Sequence, residues 1–208
     1  INKVTIESND ITYQKNEENI STNSRSKAIS KNIIIDANSF KYNKNLNTLN
    51  AYGDVKVDDK NKNIVIYSDD ITYYKNLEKI ISKNNSEAFS KNIKIQSKEF
   101  EYNKILNLLN ASGNVILEDN AKDVIIYAEN ITYQKDKEKI FTQGNTEAIV
   151  ETTYNFKSLD TILLRNEMLL KSNHKSIISD ENKTVYELDS FNYLIEEKYI
   201  DFLHKVQK

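Results

Sequence analysis

The sequence predicts an all-β fold that is built of stacked repeats. The tripeptide Ile-Thr-Tyr begins at Ile11, Ile71 and Ile131, so the spacings are 71 − 11 = 60 and 131 − 71 = 60. Apolar residues also alternate with period two, as at Ile33 and Ile35, which is the periodicity of strands. The abundance of Ile, Val, Tyr, Phe and Thr favours strands as well.

A half-period divides each 60-residue unit. Half-units that begin at 11, 40, 71, 100, 131, 161 and 191 place Ile or Leu nine residues after every start. Apolar residues at a fixed phase are typical of units that bury their faces against one another. We therefore expect residues 1–208 to form a single repeat domain. Its 60-residue units are predicted at 11–70, 71–130 and 131–190, with a partial unit at 191–208.

Two further columns of the repeat predict local structure. The position thirteen residues after each start holds all three glycines of the chain, and the column is Ser24, Gly53, Asn84, Gly113, Gly144 and His174. Glycine and asparagine tolerate positive φ, so this column predicts a bend or bulge. Tyrosine stands two residues after most starts, and we interpret these as half-exposed strand tyrosines with hydroxyls in water.

Composition argues against several classes of protein. The net charge of −2 gives no basic field for nucleic acid, and the absence of cysteine rules out disulfides and thiolate metal sites. No phosphate-binding glycine loop is present, and His174 falls in the bend column. We expect no enzymatic activity, no metal and no cofactor. Acidic pairs such as Asp58-Asp59 are interpreted as solvated turns.

The motifs in these units resemble a known family. Ser68-Asp69-Asp70-Ile71-Thr72-Tyr73 and Ala111-Ser112-Gly113-Asn114-Val115 are similar to the repeats of the OstA/LptA family of lipopolysaccharide transport. The resemblance covers nearly the whole chain and is strongest over 64–150. It implies an open, twisted β-jellyroll whose apolar groove carries acyl chains of lipopolysaccharide through the periplasm.

The resemblance also implies partners and a location. The region 152–187 looks like the segment that follows the repeats in the N-terminal periplasmic domain of LptD-type assembly proteins. The resemblance to the OstA/LptA family implies lipid A acyl chains as ligand and edge-strand pairing with related LptA- or LptC-like jellyroll domains. The likeness to LptD-type proteins implies an outer-membrane barrel with its plug lipoprotein as neighbour, and a periplasmic location attached to or facing the outer membrane. A free-standing LptA-like bridge protein and a structural or adhesive β-solenoid that binds proteins or glycans remain alternatives.

Two sets of residues are the candidates for these roles. The edge strand that would pair with a partner is predicted at Val4, Thr5 and Ile6. The side chains expected to line the lipid groove are Ile35, Leu49, Val57, Ile66, Ile80, Ile95, Leu109, Leu117, Ile126 and Ile140. The alternative interpretation of the second set is a dry core in which these residues pack only on one another.

Overall fold

The structure is a computed structural model that describes residues 4–203, with side chains as far as Asp201. Its regular elements are strands, apart from short 3-10 turns at Lys75–Leu77 and Lys135–Lys137. Contacts divide the chain into two compact units: unit 1 comprises 1–91 and 96–107, and unit 2 comprises 92–95 and 108–208. The predicted all-β jellyroll class is confirmed, whereas the single domain and its 60-residue boundaries stay predictions.

Unit 1 contains ten strands, of which the last begins in unit 2. They are β1 (Val4–Glu7), β2 (Ile11–Gln14), β3 (Asn19–Thr22), β4 (Ser26–Ser30), β5 (Ile33–Ala37), β6 (Ser39–Asn43), β7 (Thr48–Asp59), β8 (Ile64–Tyr74), β9 (Lys79–Ser90) and β10 (Ile93–Asn103).

Unit 2 contains the first residues of β10 and ten further strands. They are β11 (Leu108–Asp119), β12 (Val124–Gln134), β13 (Lys139–Val150), β14 (Tyr154–Leu159), β15 (Ile162–Leu164), β16 (Leu169–Ser172), β17 (Ser176–Ser179), β18 (Val185–Leu188), β19 (Ser190–Leu194) and β20 (Tyr199–Leu203).

The long strands of unit 1 bend in the middle, and their two halves pair with different neighbours. Before its bend β7 pairs with β6, and after the bend it pairs with β5. The result is two antiparallel sheets that share strands. Arm A consists of β2, β3, β6 and the adjoining halves of β7, β8, β9 and β10, and arm B consists of β1, β4, β5 and the other halves of β7, β8 and β9.

Unit 2 repeats this arrangement with its own strands. Register shifts mark the bends, for example between Ser112 and Val115 in β11. Arm A consists of β15, β16, β19, β20 and the adjoining halves of β11, β12 and β13, and arm B consists of β14, β17, β18 and the other halves of β11, β12 and β13. No helix of a length and apolarity suited to crossing a bilayer occurs in the part of the chain described.

Positive φ angles set these bends. Gly53, Asn84, Gly113 and Gly144 have φ between 64° and 83°, so the prediction for this column is confirmed at four of its six positions. At Gly53 a Cβ atom would lie 2.8 Å from Nδ2 of Asn38, so glycine meets both a conformational and a steric requirement there. The bend is therefore a property of the repeat rather than of one loop.

Candidate functional site

The ten predicted groove residues all lie in the interior of the unit to which they belong. Each is 4% exposed or less, and each occupies an inward position of its strand. Unit 1 holds Ile35, Leu49, Val57, Ile66 and Ile80, and unit 2 holds Ile95, Leu109, Leu117, Ile126 and Ile140. In this structure they pack on one another, and their role as a lipid lining stays a prediction.

The interior is ordered in rows that run across the strands. In arm B of unit 1, Ile35 stands opposite Val57, Val57 opposite Ile66, and Ile66 opposite Ala88. Arm A of unit 2 has a similar row, which consists of Leu109, Tyr133, Ile140, Leu163, Leu170 and Tyr193. The fixed phase of the repeat thus produces continuous apolar rows along each arm.

The tyrosine column belongs to these rows, so its interpretation as half-exposed was wrong. Tyr73, Tyr102, Tyr133 and Tyr193 are 2% exposed or less, and only the edge residue Tyr13 is half-exposed among the tyrosines of this column. The rings stand opposite Ile or Leu of the same row, which removes them from water. Burial of the ring favours the interior even where the hydroxyl loses water. The hydroxyls of Tyr102 and Tyr133 donate to Asp59 and Glu138, whereas that of Tyr193 has no hydrogen-bond partner among the described residues.

Small hydroxyl side chains line the inner side of the bends. Thr142 and Thr146 are joined by a 2.6 Å hydrogen bond across the bend of β13, and Ser176 donates to Ser158 at 2.8 Å. In unit 1, the backbone N–H of Phe40 donates to Oγ1 of Thr22 at 2.9 Å. The apices are thereby filled with satisfied polar groups, and the apolar rows lie farther out along each arm.

The tip of an arm is its end farthest from the bend. In unit 1, a group of buried charged side chains joins the tips of the two arms. Asp59, at the tip end of arm B, is 0% exposed, so the interpretation of Asp58-Asp59 as a solvated turn was wrong for Asp59. Nζ of Lys104 lies 3.7 Å from Oδ2 of Asp59 and 3.6 Å from Oε2 of Glu78. Asp59 is at the tip of arm B, and Glu78 is at the tip of arm A. Tyr102 donates its hydroxyl to Asp59 at 3.1 Å. We call Asp59, Glu78 and Lys104 the unit 1 tip triad.

Unit 2 carries the same arrangement with arginine as the cation. Arg165 donates to both carboxylate oxygens of Asp119, from Nε at 2.6 Å and from Nη2 at 3.2 Å. Its Nη1 contacts Glu138, which also accepts the hydroxyl of Tyr133 at 3.2 Å. Asp119 is 1% exposed and Arg165 is 7% exposed. Asp119, Glu138 and Arg165 form the unit 2 tip triad.

The period of the repeat contained a signal for these triads. Asp59 and Asp119 are 60 residues apart, as are Glu78 and Glu138, while Lys104 and Arg165 are 61 apart. Charged residues that recur at the period of buried apolar columns indicate a shared structural position. The sign of the charge is the same in both units at all three positions. The recurrence is less visible at the cation, because lysine is replaced by arginine and the spacing is 61 residues instead of 60.

The pKa of Glu78 is lowered from its ordinary value. Burial alone would raise it, but the hydrogen bond from Lys31 and the charges of Lys104 and Lys31 outweigh burial. A carboxylate with a lowered folded pKa stabilises the fold fully above its unfolded pKa. This stabilisation disappears as the pH falls through the folded pKa.

We therefore expect acid to abolish the stability difference between the wild type and Glu78→Gln. The difference should be constant from pH 7 down to about 4.3, the ordinary pKa of glutamate, and should shrink below that value. Urea unfolding at several pH values measures it. Glu99→Gln, a change at an exposed residue, is the control. A difference that grows on acidification would contradict the assignment.

The predicted partner edge lies on β1. Val4, Thr5 and Ile6 pair with Ser30, Ile29 and Ala28 of β4, and within residues 4–203 this is the pairing found for β1. Val4 and Ile6 are half-buried on the inward side, and Thr5 is exposed. The strand therefore presents an outer edge, and pairing with a partner stays a prediction.

An open cavity of about 1470 Å³ lies on arm B of unit 2. Its wall includes the exposed residues Tyr127, Leu159 and Ile177, together with Lys157 and Lys175. None of the ten predicted groove residues contributes to it. The cavity is thus a solvent-facing depression and not the predicted groove.

Of the comparisons with known proteins, the one with solved structures gives a match. No family model matches the sequence, and no curated protein matches it. Among solved structures, the chain is similar to LptH, the LptA-homologous periplasmic component of the lipopolysaccharide transport device of Pseudomonas aeruginosa. The TM-score is 0.50 at 9% identity, covering 54% of this chain and 83% of LptH. This likeness shows the fold.

Proposed function

We propose that this chain is a passive conduit for lipopolysaccharide, binding its acyl chains between the arms and passing them towards the outer membrane. The observation that carries the proposal is the set of continuous apolar rows, which recur in phase with the repeat in each unit. The likeness of fold to LptH, and the resemblance of the sequence motifs to the OstA/LptA family, support it.

The energetic reason for such a conduit is the hydrophobic effect. Moving an acyl chain through water costs about 0.8 kcal/mol per CH₂, so a tail of a dozen carbons costs on the order of 10 kcal/mol. An interior of apolar rows removes most of this cost. Because successive half-units offer similar rows, the tail meets steps of nearly equal free energy and is not trapped at one position.

Within this role we propose an N-terminal periplasmic module of an LptD-type protein, next to an outer-membrane barrel and its plug lipoprotein. The support is the sequence of 152–187. A free-standing LptA-like bridge protein is the alternative, and the reading frame around this chain distinguishes the two. A long stretch of alternating strands after Lys208 would favour the LptD-type module.

Binding should depend on tail length. We expect each added CH₂ to strengthen binding of a fluorescent single-tailed lipid by roughly fourfold, which corresponds to about 0.8 kcal/mol. Fluorescence titration with tails of increasing length at submicellar concentration measures this. A photoreactive residue in place of Leu117 should capture the lipid, and one in place of the outward neighbour Glu118 should not.

The structural or adhesive β-solenoid is the second candidate function, and the close packing of the interior favours it. All ten predicted groove residues are inaccessible in this structure. A protein whose interior serves only as a core would show no saturable lipid binding and equal lack of capture at positions 117 and 118. Saturable binding with capture only at position 117 would exclude it.

We also propose that β1 pairs with the terminal strand of a related jellyroll. A free strand edge carries unpaired backbone groups that a second strand can satisfy. A photoreactive residue in place of Thr5 should therefore form a defined cross-link in cells. The control is Lys56, an outward residue of β7, which has paired neighbours on both sides. Equal cross-linking from both positions would contradict the proposal.

A further inference from the structure

The tip triads hold together parts of the fold that have no backbone pairing with each other. Asp119 ends the arm B half of β11, whereas Arg165 follows β15 in arm A. In unit 1, Asp59 ends the arm B half of β7, and Lys104 follows β10 in arm A. Each triad therefore joins the two arms at the end opposite the bend. This is the side from which a tail could reach the interior without passing through a sheet.

Buried ions are an unusual means of holding apolar walls together. A buried ion pair contributes little net stability compared with apolar side chains of the same size, because both charges lose their hydration. When the tips separate, the same charges regain water. An ionic closure therefore costs less to open than an apolar one, which would expose its surface to solvent.

The triad occurs in both units, which argues against a chance arrangement of side chains in a single turn. Both units place an aspartate that is 1% exposed or less against a cation that is 8% exposed or less. The aspartates also accept backbone N–H groups of the following turns, from Asn61 at 3.2 Å and from Ala121 at 3.2 Å. The two aspartates are thus held by the turns of arm B, and the cations reach them from arm A. There the backbone N–H groups of Lys104 and Arg165 donate to the carbonyls of Glu78 and Glu138, each at 3.0 Å.

We propose that the two tip triads are reversible closures that control sideways access of acyl chains to the interior of each unit. The inference rests on the proposed function, whose lipid would have to pass between the tips. Breaking a triad opens its own unit near the tips and leaves the bend and the other unit closed. In this structure the triads are formed, the apolar rows pack on one another, and the predicted lining is inaccessible.

The absence of cysteine allows a direct test, since a single introduced thiol is a unique reporter. Leu117→Cys reports on the interior of unit 2 near the tips, and Ala111→Cys reports on the interior near the bend. Val57→Cys, 60 residues before Leu117, is the matched reporter in unit 1. All three positions are buried.

Arg165→Gln removes the cation that contacts both Asp119 and Glu138. We expect it to raise the thiol reaction rate at Leu117→Cys by at least about tenfold through local opening. The rates at Ala111→Cys and Val57→Cys should stay within about twofold of those in the wild type. Lys104→Gln should give the reverse pattern, with the increase at Val57→Cys. Arg25→Gln removes an exposed ion pair and should change none of them.

Two results would overturn the inference. One is an unchanged rate at Leu117→Cys. The other is an equal increase at Ala111→Cys, which would mean general unfolding. If Arg165→Gln does not fold, Glu138→Gln replaces it, because this change removes one charge of the triad and keeps the size of the side chain. The thiol rate at Leu117→Cys in this variant must then exceed that in the wild type, while the rate at Ala111→Cys is unchanged.

A lipid measurement separates this inference from the proposed function. In a stopped-flow experiment with a fluorescent single-tailed lipid, Arg165→Gln should bind faster than the wild type. If neither protein binds the lipid, the proposed function fails, and the thiol rates still decide whether the triads close the tips. If both bind at the same rate although the thiol pattern is as expected, the triads close the tips but do not control access.

Discussion

Replacing Phe156 with alanine is expected to lower the free energy of unfolding by about 3–5 kcal/mol. Phe156 is 1% exposed and stands in an arm B row between Ala148 and Ile178. Its ring lies 5.0 Å from the rings of both Phe191 and Tyr193 in arm A. Truncation would therefore remove contacts between the arms and leave a cavity that the paired strands cannot collapse.

Urea unfolding monitored by tyrosine fluorescence measures this effect. Lys157→Ala is the matched control, because Lys157 is the next residue of β14, is exposed, and forms a 3.6 Å ion pair with Glu147. Its expected loss is about 0–1 kcal/mol. A loss below about 1 kcal/mol for Phe156→Ala would mean that the arms do not pack on each other as described.

Replacing Arg165 with alanine is expected to lower the free energy of unfolding by about 3 kcal/mol, near the lower end of the range for breaking a buried ion pair. The change leaves Asp119 buried, with its charge uncompensated and its two hydrogen bonds from Arg165 lost. If the tips open, water reaches Asp119, and this relaxation keeps the loss at the lower end of the range.

Two comparisons sharpen the result for Arg165. Arg165→Lys should lose less than Arg165→Ala, because unit 1 already has lysine at this place and keeps its triad. Arg25→Ala removes an ion pair whose side chains are 56% and 82% exposed, and should change stability by about 0–1 kcal/mol. Equal losses for Arg165→Ala and Arg25→Ala in denaturant unfolding would show that the unit 2 triad is not a buried ion pair in solution.

The repeat carried most of the information about the fold. Columns at a fixed phase indicate the inward positions, so the sequence alone predicts that residues such as Val57 and Leu117 face the interior. The glycine column identified the bends at Gly53, Gly113 and Gly144, because a residue that must adopt positive φ restricts the amino acids that can occupy it.

The errors concern residues whose environment depends on the second arm. Alternation along a strand shows which side a tyrosine faces, but it does not show what covers that side. Tyr102 and Tyr133 are buried because the opposite arm covers them, and their hydroxyls are satisfied at the tips by Asp59 and Glu138. The interpretation of Asp59 as part of a solvated turn was wrong for the same reason, because its neighbours in sequence are the polar residues of a turn.

The sequence by itself determined that this chain is a β repeat, which residues point inward and where the strands bend. These properties depend on local or periodic sequence patterns, and the same patterns occur in each repeat. Only the tertiary structure decided that the arms meet at their tips through Asp59 with Lys104 and Asp119 with Arg165. The partners are 45 and 46 residues apart in sequence. Pairing between charges at such separations is set by how the arms fold over each other, which no local pattern encodes.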